Sequence, residues 1–265
     1  KNTVAAQIGQ EVGTSSIANM ARRFGITTPI NTQPSMVLGT SETRVIDMTQ
    51  AFAAVGANGR NITPYGISKV TTIDGEILYT AKPAKSVQLV EDWVAAAMTD
   101  LMQTAVATGT GRAANIGRPV AGKTGTTTSN KDGWFLGFSS GLTTGVWMGR
   151  DDARSIGGLE GGRAPAQAWA AYMRVAVSGR PVENFATEVT FPERLEGEEP
   201  LLGEEAEGLL LDENGMPIEG DPALDDPGLM PTTEPEPLDE AFIERAIGRR
   251  EPRPSPEEDG FREPQ

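Results

Sequence analysis

Gly117-Arg118-Pro119-Val120-Ala121-Gly122-Lys123-Thr124-Gly125-Thr126-Thr127 is the stretch on which the fold of this chain turns. From Gly117 to Thr124 it satisfies the phosphate-loop pattern G-x-x-x-x-G-K-[ST]. A phosphate cradle needs consecutive backbone N–H donors and then a helix whose N-terminus faces the anion. Pro119 has no N–H, and the run from Gly125 to Gly133 is a poor helix former, so nucleotide binding is refused and the segment reads as a β-strand. Period-two geometry then sets the hydroxyls of Thr124 and Thr126 on one face, roughly 7 Å apart, where they can share one carboxylate. Gly125 admits another backbone at close range, and Lys123 supplies a cation. At a sheet edge, such a strand can pair with an extended peptide through its main chain and hold a terminal carboxylate with its side chains.

On the C-terminal side follow a polar turn at Ser129-Asn130-Lys131-Asp132, a strand from Trp134 to Ser139, Gly141, and a strand from Leu142 to Met148. With Val120 to Thr127, these make a three-stranded antiparallel meander. A final helix has Pro165 in its first turn, Trp169, Tyr172, Met173 and Ala176 inward, and Gly179-Arg180-Pro181 as terminator. On the N-terminal side, Val4, Ile8 and Val12, then Ile17, Met20, Ala21 and Phe24, give two short helices ending at Gly13 and Gly25. Ser41 caps a third helix on Val45, Met48, Phe52 and Val55. Val70–Ile73 and Glu76–Tyr79 flank a two-residue Asp74-Gly75 hairpin turn. The longest helix runs from about Gln88 to Ala107 on Val94, Met98, Leu101 and Ala105, and Gly109-Thr110-Gly111 stops it. Helices before and after a meander make the class α+β.

Composition divides the 265 residues in two. Residues 1–182 carry 17 Lys/Arg against 12 Asp/Glu, whereas 183–265 carry 6 against 25 and 12 of the 19 prolines, so the net charge of −14 belongs to the tail. The body should fold, and the acidic, Pro-rich tail should be disordered. Leu238 to Arg250 reads as a transient helix in that tail, with a partner-binding motif as the other reading. No apolar run approaches the roughly 18 residues of a membrane span, and the opening Lys1-Asn2, already in helical spacing, suggests a piece of something longer. Histidine and cysteine are both absent. That excludes an imidazole base, a Ser-His-Asp triad, a His or Cys metal site, a thiolate nucleophile and disulfides. Any proton carrier must be Lys, Asp, Glu or Tyr. The Gly137-Phe-Ser139-Ser-Gly141 match to the nucleophile elbow therefore has no base and is refused. The dinucleotide-like Gly109-Thr-Gly111-Arg-Ala-Ala114 closes a helix instead of leaving a strand, so its glycines are a cap and turn.

Arg118-Pro-Val-Ala-Gly-Lys123-Thr-Gly-Thr126-Thr127, with Asp132-Gly-Trp134-Phe135-Leu-Gly137-Phe138, Gly145-Val-Trp147-Met-Gly149-Arg-Asp151-Asp152, Asn2-Thr-Val-Ala and Gly39-Thr-Ser-Glu-Thr-Arg, resembles the transpeptidase domain of class A penicillin-binding proteins over about residues 1–180. The resemblance implies a peptidoglycan D,D-transpeptidase that crosslinks D-Ala-D-Ala stem peptides through an acylated serine and binds β-lactams, with no cofactor, metal or nucleic acid. Of that family's three elements, S-x-x-K, S-x-N and K-T-G, only K-T-G is present. By position, Asn2 looks like the last residue of S-x-N.

Lys123 and Asn2 are thereby the implied catalytic residues, and Thr124, Gly125, Thr126 and Thr127 the implied substrate-binding ones. The Thr126 N–H would form half of an oxyanion hole. Without S-x-x-K, the chain alone should be inactive; a non-catalytic peptide- or β-lactam-binding module is the alternative. The resemblance further implies a parent with a membrane anchor and a glycosyltransferase domain, working at the periplasmic face of the inner membrane. It also implies two sheet strands upstream of this chain, so that Leu142–Met148 would present an unpaired edge.

Overall fold

The computed structural model describes residues 2–82 and 85–187. The tail from residue 188 onward, with its Leu238–Arg250 segment, lies outside the described residues. In chain order the elements are α1 (Asn2–Val12), α2 (Thr14–Arg23), α3 (Val45–Gly56), β1 (Lys69–Thr71), β2 (Ile77–Thr80), α4 (Asp92–Ala107), β3 (Ala121–Thr126), β4 (Gly133–Ser139), β5 (Leu142–Met148) and α5 (Ala164–Ala176). Two compact units result, whose described parts are 2–63 with 85–187, and 64–82. The α+β class and the meander expected from the sequence are what the chain forms.

In the larger unit the sheet order is β3-β4-β5, antiparallel throughout, so β3 forms one edge and β5 the other. Thr124 stands opposite Phe135, Lys123 opposite Leu136, and Trp134 opposite both Gly125 and Trp147. Ser140 and Gly141 both have positive φ, the conformation a two-residue hairpin loop demands, and they return the chain from β4 to β5. Successive β4 side chains point to opposite faces. Phe135 therefore points one way, into a cluster with Trp169, Met173, Val177, Val106 and Val120. Phe138 points the other way, into a cluster with Met102 and Ala121, against which Phe52 and Val55 of α3 pack. Trp169 has no solvent exposure, meets Phe135 edge-on at 5.2 Å between ring centroids, and donates Nε1–H to Thr144 O at 3.0 Å. Phe185 meets Phe138 at 5.4 Å between ring centroids and packs against this second cluster.

Several sequence expectations need correction. Helix α4 starts at Asp92, because Gln88 forms a β-bridge with Arg60, and its buried residues are Ala95, Thr99, Met102 and Val106. The inward face is thus turned one residue from the expected Val94, Met98, Leu101 and Ala105, leaving Leu101 64% exposed. The larger apolar residues drew the reading, but Ala95 and Thr99 lie inside, where the Thr99 hydroxyl is satisfied by Ala95 O at 2.8 Å. On α5, Tyr172 faces solvent while Ala166 and Ala170 take the inner positions. On α1, Val4 and Ile8 face outward and Gly9 is the buried residue, packed on Val37. Ser41 caps nothing: its Oγ accepts from Asn31 N and Nδ2, and Arg44 occupies the cap of α3.

In the smaller unit, β1 and β2 pair, but Gly75 N donates to Thr72 O. This places Ile73 and Asp74 at the corner and Gly75, with φ +86°, after it. The turn is therefore one residue longer than the expected Asp74-Gly75 pair, and the register shifts between Val70 and Thr71 to accommodate it.

Asp47 is the buried charge of α3. Thr27 donates to its Oδ2 from both backbone N (3.0 Å) and Oγ1 (2.7 Å), and Arg44 Nη2 donates to Oδ1 at 2.8 Å. Burial pushes the carboxyl upward, but the Arg44 and Thr27 hydrogen bonds outweigh it and hold the group below the usual carboxylate range.

Because the folded value is depressed, Asp47 contributes stability that is complete above the unfolded carboxylate range, about pH 4, and is lost as pH falls through the folded value. Urea titrations from pH 6 to pH 2 should show an acid-side loss of stability that is smaller in Asp47→Asn. Trp169→Ala should cost about 3–5 kcal/mol in urea unfolding at neutral pH, through a cavity between α5 and the sheet.

Candidate functional site

The K-T-G segment lies in β3, at the open edge of the sheet, and not in a loop capping a helix. This disposes of the phosphate-loop reading, since the only helical piece after Thr124 before β4 is a 3-10 turn at Thr128–Asn130. Ser139 of the elbow-like motif is wholly buried and donates to Pro119 O at 2.7 Å, a strand-end contact.

Lys123 is exposed on β3 and curls its ammonium onto its neighbour's carbonyl, Nζ to Thr124 O 2.8 Å. Partial burial of the amine lowers its pKa from the usual lysine value. Thr124 and Thr126 share a face of the strand, as the period of two required, yet both hydroxyls already have partners within the chain. Thr124 Oγ1 is 2.6 Å from Thr110 Oγ1, in the turn after α4, and Thr126 Oγ1 accepts from Gly161 N at 3.0 Å. A hydroxyl carries one donor and two acceptor sites, so each retains capacity for a ligand. A Cβ at Gly125 would meet Trp134 Cβ at 3.1 Å, so its missing side chain makes room for Trp134, and the backbone that comes close to Gly125 is admitted by another glycine, Gly161. The loop before α5 lies on the Gly125 backbone so tightly that a Cβ at Gly161 would overlap Gly125 O and Trp134 O.

Thr127 does not join this group. Its Oγ1 donates to Asp132 Oδ2 at 3.1 Å and accepts from Asp132 N at 2.8 Å, closing the β3–β4 turn. Asp132 Oδ1 in turn accepts from Trp147 Nε1 at 2.9 Å. Asn2 is exposed at the start of α1, a helix packed on α2 and the 3-10 turn Pro34–Leu38. The hydrogen-bonded cluster around Lys123–Thr126 is drawn from β3, the turn after α4 and the loop before α5, and Asn2 is no member of it. Sequence reading missed Thr110 and Gly161; the glycines at 109, 111, 161 and 162 were the signal that tight turns sit there. Among the described residues there is no grouping of His, Cys, Asp and Glu able to hold a metal, and no helix long and apolar enough to cross a membrane.

The family profile described as the penicillin binding protein transpeptidase domain matches residues 1–149. The chain belongs to the penicillin-binding protein transpeptidase family. Penicillin-binding protein 1A of Neisseria lactamica is 34% identical over 189 residues, covering 68% of this chain and 24% of the relative. Penicillin-binding protein 2D of Bacillus subtilis is 34% identical over 193 residues, 69% of this chain and 28% of the relative. The chain thus spans about a quarter of the length of the curated relatives it matches. Among solved structures, penicillin-binding protein 1A of Haemophilus influenzae superposes with a TM-score of 0.64 at 25% identity, over 70% of this chain and 34% of that one. PonA1 of Mycobacterium tuberculosis in complex with penicillin V superposes at 0.58 with 30% identity, over 64% and 52%.

Proposed function

We propose that β3 is the carboxylate-gripping wall of a peptidoglycan D,D-transpeptidase that works through a serine acyl-enzyme, the serine standing outside these 265 residues. The observation that carries this is the exposed Lys123 on an unpaired strand edge, flanked by Thr124 and Thr126, in a chain of the transpeptidase family. An extended stem peptide ending in D-Ala-D-Ala offers main-chain groups for the free edge of β3 and one terminal carboxylate. The Lys123 ammonium attracts that carboxylate, and the threonine hydroxyls fix its position. Penicillins present a carboxylate beside a strained amide and occupy the same place. PonA1, similar to this chain, has been solved with penicillin V.

Lys123 also raises the local positive potential in which an attacking serine would lose its proton, a role that suits a sequence with no histidine. The Thr126 N–H stabilises the developing oxyanion, and Asn2, outside the hydrogen-bonded cluster around Lys123, stands as the last residue of an S-x-N element. The parent is a bifunctional, membrane-anchored synthase acting at the periplasmic face, with the body at 1–182 and an acidic extension beyond it. A second reading is a non-catalytic module that only holds peptide ends or β-lactams through the same strand edge.

A fluorescent penicillin separates them. The 265-residue chain should remain unlabelled in denaturing gels, and the complete polypeptide that contains it should be labelled stoichiometrically. Failure of the complete polypeptide to label would favour the binding module. In the complete polypeptide, Lys123→Ala should slow acylation at least 100-fold with little change in Tm, since an exposed lysine contributes little to packing. The alkaline limb of the unsubstituted enzyme should fall below the pH expected of an ordinary lysine, because loss of the ammonium removes the carboxylate's partner.

A further inference from the structure

The turn Gly109-Thr110-Gly111 does more than end a helix. Its geometry is fixed on several sides. Gly111 N donates to Ala105 O at 2.9 Å, and a Cβ at Gly109 would stand 2.8 Å from the same carbonyl oxygen. A Cβ at Gly111 would stand 3.3 Å from the Phe135 ring, and one at Gly162 would overlap Thr110 O. The turn therefore sits as close to α4, the sheet and the loop before α5 as glycines allow, and it carries one side chain capable of hydrogen bonding among three residues. That hydroxyl is 2.6 Å from Thr124 Oγ1, a short, well-formed O–H···O distance.

Two hydroxyls joined by one bond hold two protons, of which one lies between the oxygens and one remains free. If Thr110 donates to Thr124, the Thr124 proton is the free one and must point elsewhere. The methyl side of Thr124 faces Gly162, 3.8 Å from the position of a Cβ there. Lys123 offers only donors, so it cannot accept that proton. An anion at the strand edge can. A hydrogen bond received from Thr110 also polarises the Thr124 hydroxyl and makes it a stronger donor.

We infer that Thr110 is a positioning residue: its hydroxyl donates to Thr124 Oγ1 and so directs the Thr124 proton at the terminal carboxylate of the acyl donor. This rests on the transpeptidase reading of β3 and adds to it a group from outside the strand. The effect is specific to anionic ligands, because a neutral ester in the carboxylate's place draws much less on a charge-assisted bond. Thr110 is exposed, so replacing it by valine keeps the shape and removes only the hydroxyl.

The test uses the complete polypeptide containing this chain, with Thr110→Val and Thr110→Ser, and follows acylation by penicillin V and by its methyl ester. Thr110→Val should lower the second-order rate with the free acid about tenfold and with the ester less than twofold, while Thr110→Ser stays within twofold for both. The three proteins should melt together. Three results would overturn the inference: Thr110→Val matching the unsubstituted protein with the acid, equal losses with acid and ester, or a loss that serine does not restore. If the unsubstituted protein is not acylated by penicillin V at all, the transpeptidase reading falls and this inference with it; normal acylation together with an indifferent Thr110→Val removes only the inference.

Discussion

The ring of Phe135 is the constraint on which the geometry of the site depends. It is wholly buried and occupies the space that side chains at Gly122, Gly137 and Gly111 would need, with would-be Cβ atoms at 2.7, 3.1 and 3.3 Å from ring carbons. On its other side stands the edge of Trp169. One aromatic side chain thus spaces the edge strand, the central strand, the turn after α4 and helix α5 at once. Since protein interiors are packed to crystal-like density, none of these pieces can shift without opening a void or meeting a clash. The 2.6 Å approach of Thr110 to Thr124 is a consequence of that spacing.

On this rigid support the polar groups of β3 sort themselves by what the neighbouring loops leave free. Thr127 spends its hydroxyl on Asp132 within the hairpin turn, so it holds the strand pair together and has no further donor to offer. Thr126 accepts from the Gly161 amide, which anchors the loop before α5 while its own proton stays available. Thr124 is tied to Thr110, and Lys123 alone projects a charge. A strand edge is ordinarily a hazard, an invitation to pair with any extended chain. Here the same open edge has a cation and two fixed hydroxyls beside it, which is the basis of the proposal that it takes a chain ending in a carboxylate.

The charge distribution fits this arrangement. A body with an excess of basic residues sets up a field that favours the approach of an anionic group. Among the described residues the one buried carboxylate, Asp47, is fully engaged with Arg44 and Thr27 and serves to fasten α3 to the chain after α2.

Local spacing was enough to determine the α+β class, the three strands and their antiparallel order, the two N-terminal helices, and the placement of Lys123, Thr124 and Thr126 on a strand; that this strand lies at the edge of the sheet was decided by the tertiary structure. Those features rest on hydrophobic period, turn residues and proline, all written within a few residues of one another. The same spacing could not decide which face of α4 turns inward. Burial there follows the fit of Ala95 and Thr99 against neighbours far along the chain, not the size of the apolar residues, and so it does at Tyr172 of α5; Ser41 fails as a cap because its hydroxyl is engaged by Asn31, ten residues before it. Nor could it show that Thr110 and Gly161 would meet Thr124 and Thr126 from 14 and 35 residues away. Contacts of that kind arise only when Phe135 and Trp169 draw helix, strand and loop to a common spacing, and a sequence records the glycines that permit such closeness without recording what comes close.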